Sequence, residues 1–399
     1  MDRNDPFLKG FVKEKMIRIC YCTTTPKAIE SFILEQAVSL HDKEGWDVSL
    51  ICSEDEDFAK RLPGFIHYFP VKMRRGVNAD GLRAILQMVK IFRRERFDLV
   101  QYSTPNASLY ASIAAWLARV PVRLYCQWGM AYVGFSGVKR RIFKAMEKLI
   151  CSLSTWVEPD SKSNLHFAHQ EGLYPAEKGS VIWNGSACGI DLNKFDISKK
   201  KAYRDRTRES YSIPDDAFVF GFVGRITRDK GINELLAAYR RLHEAHKNTY
   251  LMLVGDQAAD GGLNNELLDW SAGASGVIYT GYSYAVERLL PAMDCYVLPS
   301  YREGFGMGTI EAEAMGVPVI VTNIPGPKDA MLPGKTGLII EKGDVEALCE
   351  AMERMLKEAG RYADNGVPFV RENFEQQRLF AYILQDRERF LKTRKASIR

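Results

Sequence analysis

Residues 295–321 read CYVLPSYREGFGMGTIEAEAMGVPVIV, and the rest of the chain is organised around them. Residues 295–298 are a short apolar run closed by Pro299, residues 317–321 are a second, and 309–315 between them are rich in Ala, Glu and Met. This predicts strand, loop, helix, strand: one βαβ unit. Its loop, 300–308, carries Gly304, Gly306 and Gly308, which let a backbone approach a ligand closely. A helix N-terminus that follows a strand presents free N–H groups and partial positive charge to a phosphate. Glu303 and Glu311, seven residues apart in the gap between them, bracket the loop. Carboxylates suit polyols, because their two oxygens accept from vicinal hydroxyls. The predicted ligand has hydroxyls at both ends and phosphate in the middle, which is the form of a nucleotide sugar.

About eighty residues upstream lies GFVGRITRDKG, 221–231, where an apolar strand ends and Arg225 and Lys230 follow before a helix. Arg can clamp two oxygens in one plane and Lys adds a point charge, a pairing that suits a diphosphate. Taken alone, the motif reads equally as a solvated basic loop, and the two glutamates as exposed carboxylates. Together the four point to one site. Phe305, Gly306, Met307, Gly308 and Thr309 would offer backbone N–H groups to phosphate and sugar, although Phe305 reads equally as core. The base is expected near 254–256 and 281–286, after neighbouring strands.

The two motifs in this setting resemble the signature of retaining glycosyltransferases of family 4, nearest to capsular and exopolysaccharide transferases. The resemblance covers nearly the whole chain, most strongly its second half. It implies an α/β chain of GT-B fold, two Rossmann-like doubly wound parallel-sheet domains facing an interdomain cleft. Residues 1–195 would be the acceptor-side domain and 196–370 the nucleotide-sugar-binding domain, with a C-terminal helix in 371–399 packing back on the first. By resemblance Arg225 and Lys230 hold the donor's phosphates, Glu303 lies by the donor sugar and Glu311 binds the ribose hydroxyls. The implied activity is transfer from a nucleotide diphosphate sugar, a UDP-sugar being favoured, to a glycan or lipid-linked oligosaccharide in surface polysaccharide biosynthesis. No metal or other cofactor is expected, and no nucleic acid partner. Alternatives are a nucleotide-sugar epimerase of the same fold and an inactive sugar-binding relative.

Two departures from the family concern the first domain. Its first βα loop, TTTPK at 23–27, has no glycine, and Trp128 in YCQWGM stands where relatives often carry a His. Gln127 is the nearest polar residue, read either as a hydrogen-bonding partner of the donor sugar or as a satisfied group at a strand end.

Composition is consistent with this. With 399 residues, 46% hydrophobic and 26% charged, the chain is an ordinary globular protein long enough for two domains. A net charge of +5 fits a phosphorylated substrate or an anionic surface without selecting either. Eight scattered cysteines without a Cys-x2-Cys pair read as reduced core thiols, and no apolar window approaches about 20 residues, so a cytoplasmic protein is expected. Residues 136–151, SGVKRRIFKAMEKLIC, form a basic amphipathic pattern that fits an ordinary domain helix or the inner face of an anionic membrane, with Val138, Ile142, Phe143, Met146, Leu149 and Ile150 on one side.

Other fragments fail. LPGKTG at 332–337 lacks the first glycine of a P-loop, where Asp329 stands. Asp55 and Asp57 read as a solvated turn, His166 and His169 lack a third metal ligand, and no Ser, His and Asp arrangement suggests a hydrolase. Strands are predicted at 16–22, 46–52, 66–71, 99–102, 122–127 and 155–157, with a helix at 29–41 among others. A second strand–helix series restarts near 217, after the charged segment 199–208, which reads as the start of the second domain after a linker, and helices close the chain at 344–359 and 371–392.

Overall fold

The computed structural model describes residues 16–73, 79–258 and 261–398. Two parallel sheets of six strands alternate with helices. The first contains β1 (Arg18–Cys22), β2 (Asp47–Cys52), β3 (His67–Pro70), β4 (Leu99–Tyr102), β5 (Val122–Gln127) and β6 (Trp156–Pro159) in the order β3-β2-β1-β4-β5-β6. The second contains β7 (Phe218–Val223), β8 (Thr249–Val254), β9 (Val277–Gly281), β10 (Cys295–Leu298), β11 (Val319–Thr322) and β12 (Gly337–Ile340) in the order β12-β11-β10-β7-β8-β9. β4, β10 and β11 are buried along their whole length, as strands covered on both faces must be; β10 is apolar throughout, while β4 and β11 bury the polar Gln101 and Thr322. The winding reverses once in each sheet, between β1 and β4 and between β7 and β10. At such a reversal the loops leaving the carboxyl ends diverge to opposite faces and leave a crevice for ligands.

By internal contacts the chain divides into Met1–Leu124 with Phe390–Arg399, and Tyr125–Arg389. That division falls inside β5, well before the restart of the strand series. Residues after β6 bond directly to the loop after β10: Ser161 Oγ donates to Gly304 O at 3.3 Å and Asn164 Nδ2 donates to the same carbonyl.

Several elements differ from the sequence reading. The helix expected at 29–41 is two, Pro26–Phe32 and Leu34–Glu44, separated at Ile33 where φ is −123° and ψ −38°. The acidic turn around Asp55 is the start of a short helix, Glu56–Arg61, whose N-cap is Asp55, accepting from Phe58 N at 2.8 Å. The helix expected at 344–359 runs on to Asn373, because buried Tyr362, Gly366 and Val370 continue its apolar stripe past Pro368. β12 has no counterpart in the reading.

The segment 199–208, read as the start of the second domain, is the helix Lys200–Ser210, and its charge hides an interior residue: Arg208 is 1% exposed. Arg208 donates from Nη1 to the carbonyls of Pro214, Asp215 and Ala217 at 3.0–3.1 Å, and from Nη2 to Ala292 O at 3.1 Å and Asp294 Oδ2 at 2.7 Å. Asp294 in turn binds Arg204 at 2.7 Å and accepts from Val219 N at 2.8 Å. A buried guanidinium is tolerated only when its donors are satisfied, and here they fasten the start of β7 to the turn before β10.

Candidate active site

β7 and β10 flank the reversal of the second sheet, so the loops that leave them rise side by side. Gly231 closes the first loop with φ +73°, and a Cβ there would strike Pro299 O, so only glycine lets this loop seat against the end of β10. The next residue back, Lys230, places Nζ 2.6 Å from Glu303 Oε1. Ser300 Oγ donates to that same oxygen at 2.7 Å. Arg225, with its side chain 54% exposed, lies 3.6 Å from Asp229 Oδ2.

Asp229 gathers the cations. Arg302 Nη2 lies 2.8 Å from its Oδ2 and Thr227 Oγ1 donates to its Oδ1 at 2.5 Å. Burial works to raise this carboxyl, but the Thr227 hydrogen bond and the charges of Arg302, Arg225 and Lys230 outweigh it and hold it below the usual carboxylate range. Three cations (Arg225, Lys230, Arg302) therefore face two carboxylates (Asp229, Glu303), and the surplus is positive.

Beside them the helix Met307–Ala314 begins at Gly306, whose φ of 88° no ordinary residue adopts comfortably. Its first closed backbone bond is Thr309 N to Gly306 O at 2.8 Å. Among the described residues, none accepts from the N–H groups of Phe305, Gly306, Met307 or Gly308. Four unspent donors at a helix N-terminus, next to a cationic surplus, form a seat for an oligoanion.

Comparison with known proteins gives the family. Residues 203–366 match the family "Glycosyl transferases group 1" and residues 18–158 match "Glycosyl transferase 4-like". The chain is 28% identical over 378 residues to the capsular polysaccharide biosynthesis glycosyltransferase CapM of Staphylococcus aureus, covering 94% of this chain and 98% of that one. The chain is a GT4-like glycosyltransferase of GT-B fold. A second relative of this glycosyltransferase, 26% identical over 80% of it and 82% of the relative, is an Escherichia coli enzyme named UDP-Gal:alpha-D-GlcNAc-diphosphoundecaprenol alpha-1,3-galactosyltransferase. In fold it superposes on Anabaena HepE, solved with UDP and glucose, with a TM-score of 0.75 at 19% identity over 93% of this chain and 99% of that one.

The remaining residues singled out from sequence fall into place around the glycosyltransferase's two loops. Glu311 lies one turn into the helix Met307–Ala314, where burial pushes its carboxyl up to about 7, Lys194 opposing and Glu287 adding to the rise. The phenol of Tyr296, packed under Gly308, is pushed well up by burial, with the charges of Glu303 and Glu311 adding to the rise. Phe305 is 2% exposed and packs edge-on against Phe374 at 5.2 Å, so its side chain is core and only its backbone is available. Gln127 is turned away from any ligand: fully buried, it donates from Nε2 to Glu147 Oε1 at 2.6 Å, an oxygen that Tyr125 also donates to at 2.8 Å. The satisfied-group reading of Gln127 replaces the sugar-contact reading.

Arg302 and Asn164 were not foreseen. Arg302 had a signal, since it precedes Glu303 and its partner Asp229 stands inside the upstream motif. Asn164 had none, being brought to the loop only by the fold.

The other fragments stay outside this chemistry. Asp57 meets Lys60 at 3.4 Å on the surface. His166 is exposed while His169 packs edge-on against Tyr174 at 5.2 Å, so the two do not share an environment. The helix Gly137–Leu153 departs from the single apolar side expected of it: Ile150 is buried, whereas Val138, Ile142 and Leu149 are 71%, 54% and 43% exposed. Among the described residues no helix is long and apolar enough to cross a membrane.

Proposed function

We propose that the chain transfers a sugar, with retention of anomeric configuration, from a nucleotide diphosphate sugar, UDP-linked by preference, to a growing glycan or lipid-linked oligosaccharide of a surface polysaccharide. The observation that carries this reading is the seat itself: four unspent N–H groups beside Arg225, Lys230 and Arg302. In this reading the acceptor oxygen bonds to the anomeric carbon as the bond to the diphosphate breaks. The acceptor's proton goes to the leaving phosphate oxygen on the same face. Negative charge growing on that phosphate is met by preorganised cations and N–H dipoles, which is where such a site gains most of its rate, and the scheme calls for no metal. Glu311 takes the ribose hydroxyls and Glu303 the donor sugar, while the loops after β8 and β9 take the base. Residues 196–370 supply the donor half and 1–195 the acceptor half.

Support for the donor comes from the E. coli relative, named for UDP-Gal, and from HepE, solved with UDP and glucose. The same E. coli name specifies a diphosphoundecaprenol-linked acceptor. A lipid-linked acceptor agrees with the helix Gly137–Leu153, whose exposed Val138, Ile142 and Leu149 are interleaved with Lys139, Arg141 and Lys148. That stripe suits the inner, anionic face of a membrane for a protein working at the cytoplasmic side.

A thermal-shift panel of UDP, GDP and ADP tests the donor assignment, since a ligand that binds only the folded state raises the melting point. UDP is expected to give the largest rise, and absence of any shift overturns the reading. Incubating the sugar nucleotide without acceptor separates a transferase, which yields at most slow hydrolysis, from an epimerase, which converts the sugar alone.

A further inference from the structure

The donor loop is gripped by residues far from it in sequence. Asn164, in the first turn of the helix Lys162–Gln170 that follows β6, is 2% exposed. Its Nδ2 donates to Gly304 O and lies 3.4 Å from Glu303 O. Ser161, the N-cap of the same helix, accepts from Asn164 N at 3.2 Å and donates from Oγ to Gly304 O at 3.3 Å. Two further bonds hold this turn in place, Gly326 N to Ser163 Oγ at 2.8 Å and Ser163 N to Asp329 Oδ2 at 2.7 Å.

The grip has a directional consequence. No described peptide bond is cis, and in a trans peptide the carbonyl and the N–H point in opposite directions. Holding the Gly304 oxygen against the helix therefore turns the Phe305 N–H away from that helix, and Phe305 is the first of four consecutive residues whose N–H groups have no acceptor among the described residues. It also pins the backbone of Glu303, whose carboxylate meets Lys230 at 2.6 Å.

We propose that Asn164 is a positioning residue for the donor's diphosphate, acting through the Gly304 carbonyl to aim the Phe305 N–H and to hold Glu303 against Lys230. The proposal rests on the assignment of the 305–308 N–H groups as the phosphate seat. Asn164 touches no reacting atom; its effect is confined to how well the seat fits a phosphate.

Calorimetric titration of UDP and of uridine into the full-length wild type, Asn164→Ala and Asn164→Leu tests this, together with donor and acceptor KM. Loss of a net hydrogen bond predicts that UDP Kd and donor KM rise about tenfold in both variants. Uridine affinity and acceptor KM should stay near wild type, while the melting temperature falls by the few degrees that a lost buried hydrogen bond costs. Should either variant fail to fold, Ser161→Ala, which removes the second donor and the cap, carries the test with an expected weakening of UDP of about threefold. UDP affinity within twofold of wild type in the folded variants overturns the proposal, as does an equal loss for UDP and uridine. If the wild type binds no UDP, GDP or ADP, the phosphate seat itself is wrong and the proposal falls with it, a result distinct from variants that bind as the wild type does.

Discussion

The two sheets share one winding, with the reversal lying between β1 and β4 in the first and between β7 and β10 in the second. At the first reversal the loops are knitted by hydroxyls. Thr24 N donates to Thr104 Oγ1 at 2.9 Å, the two threonine hydroxyls meet at 2.9 Å, and Ser53 Oγ donates to Thr24 O at 2.8 Å. At the second reversal the equivalent loops carry Arg225, Lys230, Arg302 and Glu303 and leave four backbone donors unspent. The same backbone frame thus spends its polar groups on itself in one sheet and, among the described residues, leaves them without a protein partner in the other. Topology repeats the reversal; side-chain chemistry makes the two differ.

The harshest way to break the comparison is to detach the second reversal from its support. Arg208→Ala leaves Asp294 and several carbonyls without their buried donor, and is expected to cost about 3–5 kcal/mol of stability, measured by urea unfolding. Lys230→Ala comes next. It should keep the fold and lower kcat/KM by about 3 kcal/mol, more than a hundredfold, in steady-state assays with the donor nucleotide sugar. Near-normal turnover would remove Lys230 from the donor site.

A smaller effect is expected from Glu311. Its carboxyl titrates near 7 in the folded protein, above the ordinary value of 4.5, so the folded state binds the proton more tightly than the unfolded one. The stability this contributes is present below 4.5 and is lost as pH rises through about 7. Binding of ribose hydroxyls favours the ionised form, so UDP affinity should do the opposite and rise across the same window. Titrations from acid to alkaline conditions should show both slopes in the wild type, and Glu311→Gln should flatten each by the share Glu311 contributes, the remainder coming from the phosphate of UDP and from other buried carboxyls such as Glu147, Asp160 and Glu313. Least of all is expected from Thr24→Val. Loss of its hydroxyl should cost about 1 kcal/mol of stability while UDP affinity stays within twofold, and a large loss of affinity would mean that the first reversal also serves the donor.

What could be read from the sequence follows from how local each signal is. β4 and β5 were legible to the residue because each is a short stretch rich in apolar and aromatic residues between helical segments, although Gln101, Arg123 and Gln127 interrupt them. Lys230 and Glu303 were legible because each sits in a short motif with its own glycines. Arg208 was not, because its acceptors come from two separate stretches, 214–217 and 292–294, and a charged helix with one interior residue looks like any solvated segment. Gln127 looked available because nothing nearby in sequence satisfies it; its partner Glu147 is twenty residues on and faces it only once the helix Gly137–Leu153 is folded. The orientation of the 300–308 loop was hidden as well, since Ser161 and Asn164 reach it from more than a hundred residues earlier.

The link between Lys230 and Glu303 gives the empty protein an internal counter-ion. A stray inorganic phosphate entering alone would have to compete with a tethered carboxylate that never diffuses away, and would bring no sugar hydroxyls to occupy that carboxylate once dislodged. An anion that also carries hydroxyls brings both halves of the exchange, phosphate for the ammonium and hydroxyls for the glutamate, so the pair opposes a partial ligand more than a complete one.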